Sequence, residues 1–377
     1  MLSGGGARAA YQIGVLTALA ELHPSLTFPI FTGVSAGAIN TLFLATHRGS
    51  FAEAVARLRE HWSRLTVDEV FRVRPFRLGR AALRWLAQAA FGRGRGPTAL
   101  RGLLDTTPLR QFLARHLDPG GVAHNLATGR LRAAALTATS FATGYTVTFV
   151  EGAPDVALWQ RARRVGVAAR LTIDHVMASS ALPILFPAVN IGDVFYGDGS
   201  VRQTAPLSPA IHLGARALLA IGMRTSRTAD PRPQARDYPS AAETMGMVLD
   251  SIFLDALDPD AERLARVNRL VAALPPGTRS PDGLSLVRLL MVHPSRDPAD
   301  LAVGHLHTLP RGLRRVVESL GGRRVQAADF LSYLLFEPRY TTTLIDRGYD
   351  DARAARDRIA RFLEPGVGDD RYALEPS

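Results

Sequence analysis

After three opening glycines, apolar residues recur at helical spacing: Ala9, Ile13, Leu16 and Ala20, joined by Val15 and Leu19. This periodicity predicts a helix entered directly from the glycines. Thr27 to Val34 is dense in β-branched and aromatic residues (Phe28, Ile30, Phe31, Thr32, Val34) and predicts a short strand. Ala36 to Thr46 consists of good helix formers and predicts a second helix. Residues 51–117 read as mostly helical and arginine-rich. Within them Leu78, Ala82, Trp85, Leu86 and Ala89 form an apolar face opposite Arg77, Arg80, Arg84 and Gln88, as in a helix lying on the core or at a lipid interface. Gly92 to Pro97 breaks that pattern.

Leu131–Thr139 and Tyr145–Val150 read as the arms of a hairpin around residues 142–144. A helix over 174–182, a Pro183–Pro187 turn, short strands leading to Asp198 and a buried strand over Ala217–Gly222 follow. Thr225 to Pro239, rich in Pro, Arg and Asp, is the best boundary and divides the chain into 1–224 and 225–377. Beyond it helices are expected near 241–256, 260–274, 310–320, 326–336 and 350–363, with a Pro-Pro-Gly break at 275–277 and a strand at 286–293. The tail after Pro365 is expected to be mobile.

Three glycine-flanked loops punctuate this pattern. Gly33-Val34-Ser35-Ala36-Gly37 matches the G-x-S-x-G nucleophile elbow and lies between a predicted strand and a predicted helix, the context that motif requires. Gly33 and Gly37 remove Cβ atoms that would drive strand and helix apart, and the helix N-terminus beside the serine favours an oxyanion. Ser3-Gly4-Gly5-Gly6-Ala7-Arg8 lets backbone N–H groups converge on an anion, with Arg8 adding positive charge. The spacing of Gly4, Gly6 and Ala9 also fits a relaxed dinucleotide fingerprint, but no acidic residue falls at the expected distance, and a P-loop lacks its G-K-[ST]. Followed by the serine elbow, the loop reads as an oxyanion hole formed around Gly4, Gly5 and Gly6. The third piece, Gly197-Asp198-Gly199, places a carboxylate on a tight loop; on spacing alone, an ordinary Asp-Gly turn is the commoner meaning. None of the ten histidines has a recognisable catalytic context, although Ser35, Asp198 and His212 fall in the chain order of a histidine triad.

Composition narrows the class. Hydrophobic residues make up 47% of the 377, ordinary for a globular core. Cysteine is absent, which excludes disulfides, thiol catalysis and cysteine-based metal sites. All 45 basic residues are arginine and the formal net charge is +11, which suits an anionic lipid surface; without a nucleic-acid motif, no nucleic-acid partner is expected. No stretch reaches 18 apolar residues and no signal-peptide pattern leads the chain, so the expected location is cytoplasmic, peripheral to a membrane.

These loops, with Ala178-Ser179-Ser180-Ala181-Leu182-Pro183 through Phe186-Pro187 to Tyr196, make the chain resemble the bacterial patatin-like phospholipases over about residues 1–224. Leu331 to Phe336 resembles the C-terminal part of one bacterial subgroup. The resemblance implies an α/β fold, a three-layer α/β/α sandwich, here with a mostly helical C-terminal extension. It implies hydrolysis of lipid acyl esters, of phospholipase A or lysophospholipase type, through an acyl-serine. Ser35 would be the nucleophile, Asp198 the base in a Ser–Asp dyad without histidine, and the glycine-loop amides with Arg8 the oxyanion-binding group. No metal or other cofactor is implied.

Three departures stand out: Ala9 where the family usually has glycine, Ser200 where glycine or alanine is common, and Met1 only two residues before the loop, where a strand normally leads in. A missing strand would expose a sheet edge or leave a groove and would loosen the oxyanion hole. The alternatives are a soluble esterase or thioesterase on the same dyad, or a catalytically weak lipid- or membrane-binding protein.

Overall fold

The computed structural model describes residues 1–73, 102–225, 240–275, 283–308 and 328–364, with single positions 238, 278 and 280. The strands of its main sheet are β1 (Ile30–Val34), β2 (Ala133–Ser140), β3 (Thr146–Gly152), β4 (Gln160–Arg161), β5 (Arg164–Ala168), β6 (Val189–Ile191), β7 (Val194–Asp198), β8 (Ala217–Ile221) and β9 (Arg288–Val292). Its principal helices are α1 (Ala10–Leu22), α2 (Ala36–Thr46), α3 (Phe51–Arg64), α4 (Thr107–His116), α5 (Ile173–Ser179), α6 (Ala241–Phe253), α7 (Leu257–Ala272), α8 (Pro338–Ala354) and α9 (Arg356–Leu363).

Strand β2 is the centre. Every residue in it is buried, and its small side chains let layers close on both faces. Ala134, Leu136 and Ala138 join the core that holds α1, α2, α5 and α8, whereas Ala133 and Ala135 pack on the other face with Trp159 and Leu213. On that second face α7 covers β8 through Leu257, Ala261 and Leu264. The result is the expected sandwich of helices, mixed sheet and helices.

One edge of β2 pairs antiparallel with β3, which continues through β5 to β4. The other edge is divided. Parallel β1 occupies it from Ile30↔Ala133 to Val34↔Thr137, and antiparallel β7 takes over at Ala138↔Asp198, with β6 beyond it. Strand β1 therefore stops where the end of β7 arrives.

Leu2 fills the place between β1 and β8, so the groove expected there does not form. It bridges Gly33 and Ile221, its N–H donates to Thr32 O at 2.9 Å and its carbonyl accepts from Val34 N at 3.3 Å. Ala9 has φ −63°, so no glycine is required at that position.

The expected division at 225 does not separate two cores. Strand β9 pairs with β8 across it, and α8 packs along α1. Helix α1 is buried at every position from Ala10 to Ala20, which is why its sequence is apolar on all sides. The expected helix near 350–363 is in fact two, α8 and α9. Thr341–Thr343 disfavours helix locally, but tertiary contacts override it: Tyr340 Oη donates to Pro298 O at 2.9 Å and Thr341 Oγ1 to Trp62 O at 2.9 Å. The amphipathic 76–91 segment, the break at 92–97, the helix near 310–320 and the tail after Pro365 lie outside the described residues.

The α1–α8 contact depends on missing side chains. A Cβ on Gly14 would lie 1.8 Å from Ile345 O, and one on Gly348 would lie 2.1 Å from Tyr11 O. Gly348→Ala, which would help an exposed helix, is therefore expected to destabilise the protein by about 1–3 kcal/mol in chemical denaturation.

Candidate active site

Strand β1 ends in a sharp turn at Ser35 (φ 55°, ψ −130°), from which α2 departs. A non-glycine residue there is strained, and such strain persists only where surroundings over-determine it. Those surroundings are tight. A Cβ on Gly33 would meet Thr41 Oγ1 at 2.3 Å, and one on Gly37 would meet Leu2 O at 2.2 Å. Two serines at the end of α5 clamp the turn. Ser35 N donates to Ser179 Oγ at 2.9 Å, Ser179 Oγ donates to Thr137 O at 2.6 Å, and Ser180 Oγ donates to Ser35 O at 3.0 Å. Both serines lie in the stretch that carries the family resemblance, yet no spacing rule marks them as the elbow's support.

Asp198 arrives from the other direction. Its N–H donates to Ala181 O at 2.8 Å and its carbonyl accepts from Thr139 Oγ1 at 3.0 Å. Carboxylate Oδ1 accepts from Ser200 N at 2.9 Å, while Oδ2 has no partner of full hydrogen-bond geometry among the described residues. The side chain is fully buried. Burial pushes its pKa up to about 6, against hydrogen bonding from the Ser35 side chain, the Ser200 amide and the Ser200 side chain, which hold it down.

The glycine loop closes the third side. A Cβ on Gly4 would lie 2.7 Å from Ser200 Oγ and 3.1 Å from Ser35 Cβ, so the loop backbone passes directly against the serine. Gly5 and Gly6 take φ values of 150° and 54°, which side-chain-bearing residues rarely adopt. The N–H groups of Gly4, Gly5 and Gly6 donate to no acceptor among the described residues, although Gly4 and Gly5 are buried. Buried donors without acceptors are costly, and at this position they suit a developing negative charge.

A polar chain sets the loop against the elbow helix. Gln12 Nε2 donates to Ser3 O at 2.9 Å, Asn40 Nδ2 to Gln12 Oε1 at 2.8 Å, and Trp62 Nε1 to Asn40 Oδ1 at 2.7 Å. All of it is buried, and sequence periodicity gave no sign of it.

Arg8 departs from expectation. Its N–H donates to Gly5 O at 3.1 Å and its guanidinium turns away from Ser35. The guanidinium pairs with Asp329, lies 3.6 Å from Asp250, donates to Ser332 Oγ at 2.7 Å and sits 3.9 Å over the Tyr333 ring. Tyr333 O also accepts from Ala7 N at 2.9 Å. Arg8 thus fastens the glycine loop to residues 329–333 and adds no donor to the oxyanion group.

Two histidines, His175 and His212, are engaged elsewhere. His212 stacks on Trp159 with ring centroids 4.9 Å apart, and His175 Nδ1 accepts from Thr172 N at 3.1 Å. Among the described residues, no histidine hydrogen-bonds Ser35 or Asp198, and no group of three or more His, Asp or Glu is placed to hold a metal ion.

Two outcomes follow. Well below pH 4 Asp198 is protonated whether folded or not; between about pH 4 and 6 the unfolded chain gives up that proton while the buried acid keeps it, so stability falls across this window and levels off above about 6. Asp198→Asn is therefore expected to gain roughly 2–3 kcal/mol at pH 8 and little at pH 4, read by denaturation at both pH values. Arg8→Met strands two carboxylates and is expected to cost about 3–5 kcal/mol in the same assay.

No curated protein matches the chain. The family model described as patatin-like phospholipase matches residues 1–211, the span that holds the glycine loop, the elbow and Asp198. More than half of the chain is covered, and the protein belongs to the patatin-like phospholipases, a family of lipid acyl hydrolases.

Proposed function

We propose that this chain hydrolyses acyl esters of lipids, in the manner of a phospholipase A or lysophospholipase, through a Ser35–Asp198 dyad. The observation that carries the proposal is the fully buried Asp198 carboxylate beside a serine held at positive φ, with no histidine bonded to either. A carboxylate normally titrates too low to accept a serine proton well, and burial moves this one toward neutral pH, where general bases work best.

In the proposed reaction Ser35 Oγ attacks the ester carbonyl carbon as its proton passes to Asp198. The Gly4, Gly5 and Gly6 amides hold the resulting oxyanion. Collapse expels the alcohol, which takes the proton from Asp198, and leaves an acyl ester on Ser35. Water then attacks that ester, gives a proton to Asp198 and releases the fatty acid, and the proton returns to Ser35. Because Ser35 N is bound to Ser179, the oxyanion donors in this scheme come from the glycine loop and not from the nucleophile's own amide.

The test is hydrolysis of phospholipid vesicles and of a monomeric short-chain ester. Ser35→Ala and Asp198→Asn are each expected to lower kcat by about 10³-fold or more, with His212→Ala near wild type. Wild-type kcat/KM is expected to rise with pH through a midpoint of about 6, as Asp198 ionises. Activity that survives Ser35→Ala, or that disappears in His212→Ala without unfolding, would sink the proposal.

A further inference from the structure

Large apolar side chains are exposed where the sheet ends above the dyad. Phe141 is 56% exposed, Phe195 55%, Tyr145 38% and Val201 38%. They gather at one end of the sheet, Phe141 and Phe195 on one face and Tyr145 on the other. Phe141 N donates to Phe195 O at 2.9 Å, so the two aromatics continue the β2–β7 pairing just past Ser140↔Tyr196. Tyr145 closes the same hairpin, its carbonyl accepting from Ser140 N at 2.9 Å. Val201 lies beside Arg202, whose guanidinium approaches within 3.8 Å of a Cβ built on Gly144.

The patch belongs to the candidate site by covalent connection. Phe195 precedes Asp198 by three residues of β7, a span of only about 10 Å, and Val201 follows Asp198 by three at the end of a 3-10 turn. The ring of Phe141 lies 2.8 Å from a Cβ built on Gly197, next to Asp198. A substrate leaving a lipid layer at this patch would have little distance to travel.

The two exposed arginines beside the patch outnumber the exposed acid Asp193, which precedes Phe195 by two residues. Arg163 and Arg202 are exposed, and neither makes an ion pair among the described residues. Arg163 is fixed at the patch edge, its carbonyl accepting from Thr146 N at 2.9 Å, and Thr146 Oγ1 donates to Arg202 O at 3.0 Å. Aromatic residues rimmed by unpaired arginines match an interface whose outer layer is anionic and whose interior is hydrocarbon. A cluster of exposed apolar residues on a soluble chain marks a contact surface.

We propose that Phe141, Tyr145, Phe195 and Val201, with Arg163 and Arg202, form the surface by which this protein docks on an anionic lipid layer, presenting lipid to Ser35 and Asp198. The proposal rests on the lipid hydrolase reading, but its binding arm does not need turnover.

The test uses full-length protein carrying Ser35→Ala, so that vesicles stay intact. Co-sedimentation is measured with mixed phosphatidylglycerol–phosphatidylcholine vesicles and with phosphatidylcholine alone. Tyr145→Ser with Phe195→Ser is expected to weaken partitioning by at least about tenfold for each side chain removed. Arg163→Glu with Arg202→Glu is expected to remove most of the preference for phosphatidylglycerol, about fivefold for each charge lost. The same substitutions in the Ser35 background are expected to keep wild-type kcat/KM on a monomeric short-chain ester while losing vesicle hydrolysis, which also shows that they fold.

Undiminished vesicle binding by the aromatic variant would overturn the proposal. So would a wild-type dimer that this variant converts to monomer while vesicle binding persists, since the patch would then join two copies of the chain. Absence of hydrolysis of every ester by wild type, with patch-dependent binding intact, would reject the catalytic reading and leave the docking surface standing.

Discussion

Everything at the candidate site depends on how one edge of β2 is divided. Strand β1 occupies that edge as far as Thr137, and β7 begins at Ala138. Consecutive residues of a single strand therefore place the ends of two others side by side. Ser35 follows the last residue of β1, and Asp198 is the last residue of β7. Neither strand could extend past this point without displacing the other. The close fit explains the absence of side chains nearby: a Cβ on Gly199 would lie 2.2 Å from Thr137 O and 2.8 Å from Val34 Cγ2.

The same arrangement explains the chemistry available. A carboxylate at the junction of three strands, under a helix and a glycine loop, is cut off from water, and the resulting desolvation raises its pKa. Such a group opposes folding yet has the pKa a general base needs, a conflict common at functional sites. What keeps it tolerable is the density of hydrogen bonds around it. Ser200 N bonds the carboxylate, Ser179 and Ser180 fix the serine, and Gln12, Asn40 and Trp62 fix the loop. The C-terminal region belongs to this frame, because Tyr333 O and the Arg8 cluster decide where the glycine loop lies. Residues past the family match thus help to shape a site that the match contains.

The parts of this legible in the sequence were those with local causes. Strand, turn and helix around Ser35 follow from composition and two glycines, and the β2–β3 hairpin from its two β-rich arms. Asp198 was different. Asp-Gly is an ordinary turn, and only resemblance singled it out as a candidate base, because its burial beside Ser35 depends on the pairing of β7 with β2. Arg8 was misjudged for a similar reason: a basic residue beside three glycines suggests charge at the site, whereas its partners Asp250, Asp329 and Tyr333 are distant in sequence. Helix α8 was partly hidden by Thr341–Thr343, whose low propensity is overcome by contacts that no local window contains. The clamp serines lay within a stretch that carried the resemblance, but nothing local tied them to the Ser35 turn.

The central claim is that Ser35 is a nucleophile activated by Asp198, and covalent trapping tests it most directly. Protein treated with a fluorophosphonate would be digested and its peptides mapped by mass spectrometry. The account predicts one adduct, on Ser35, formed far more slowly in Asp198→Asn although that variant is the more stable. An adduct on another residue, or none on well-folded wild-type protein, would contradict it.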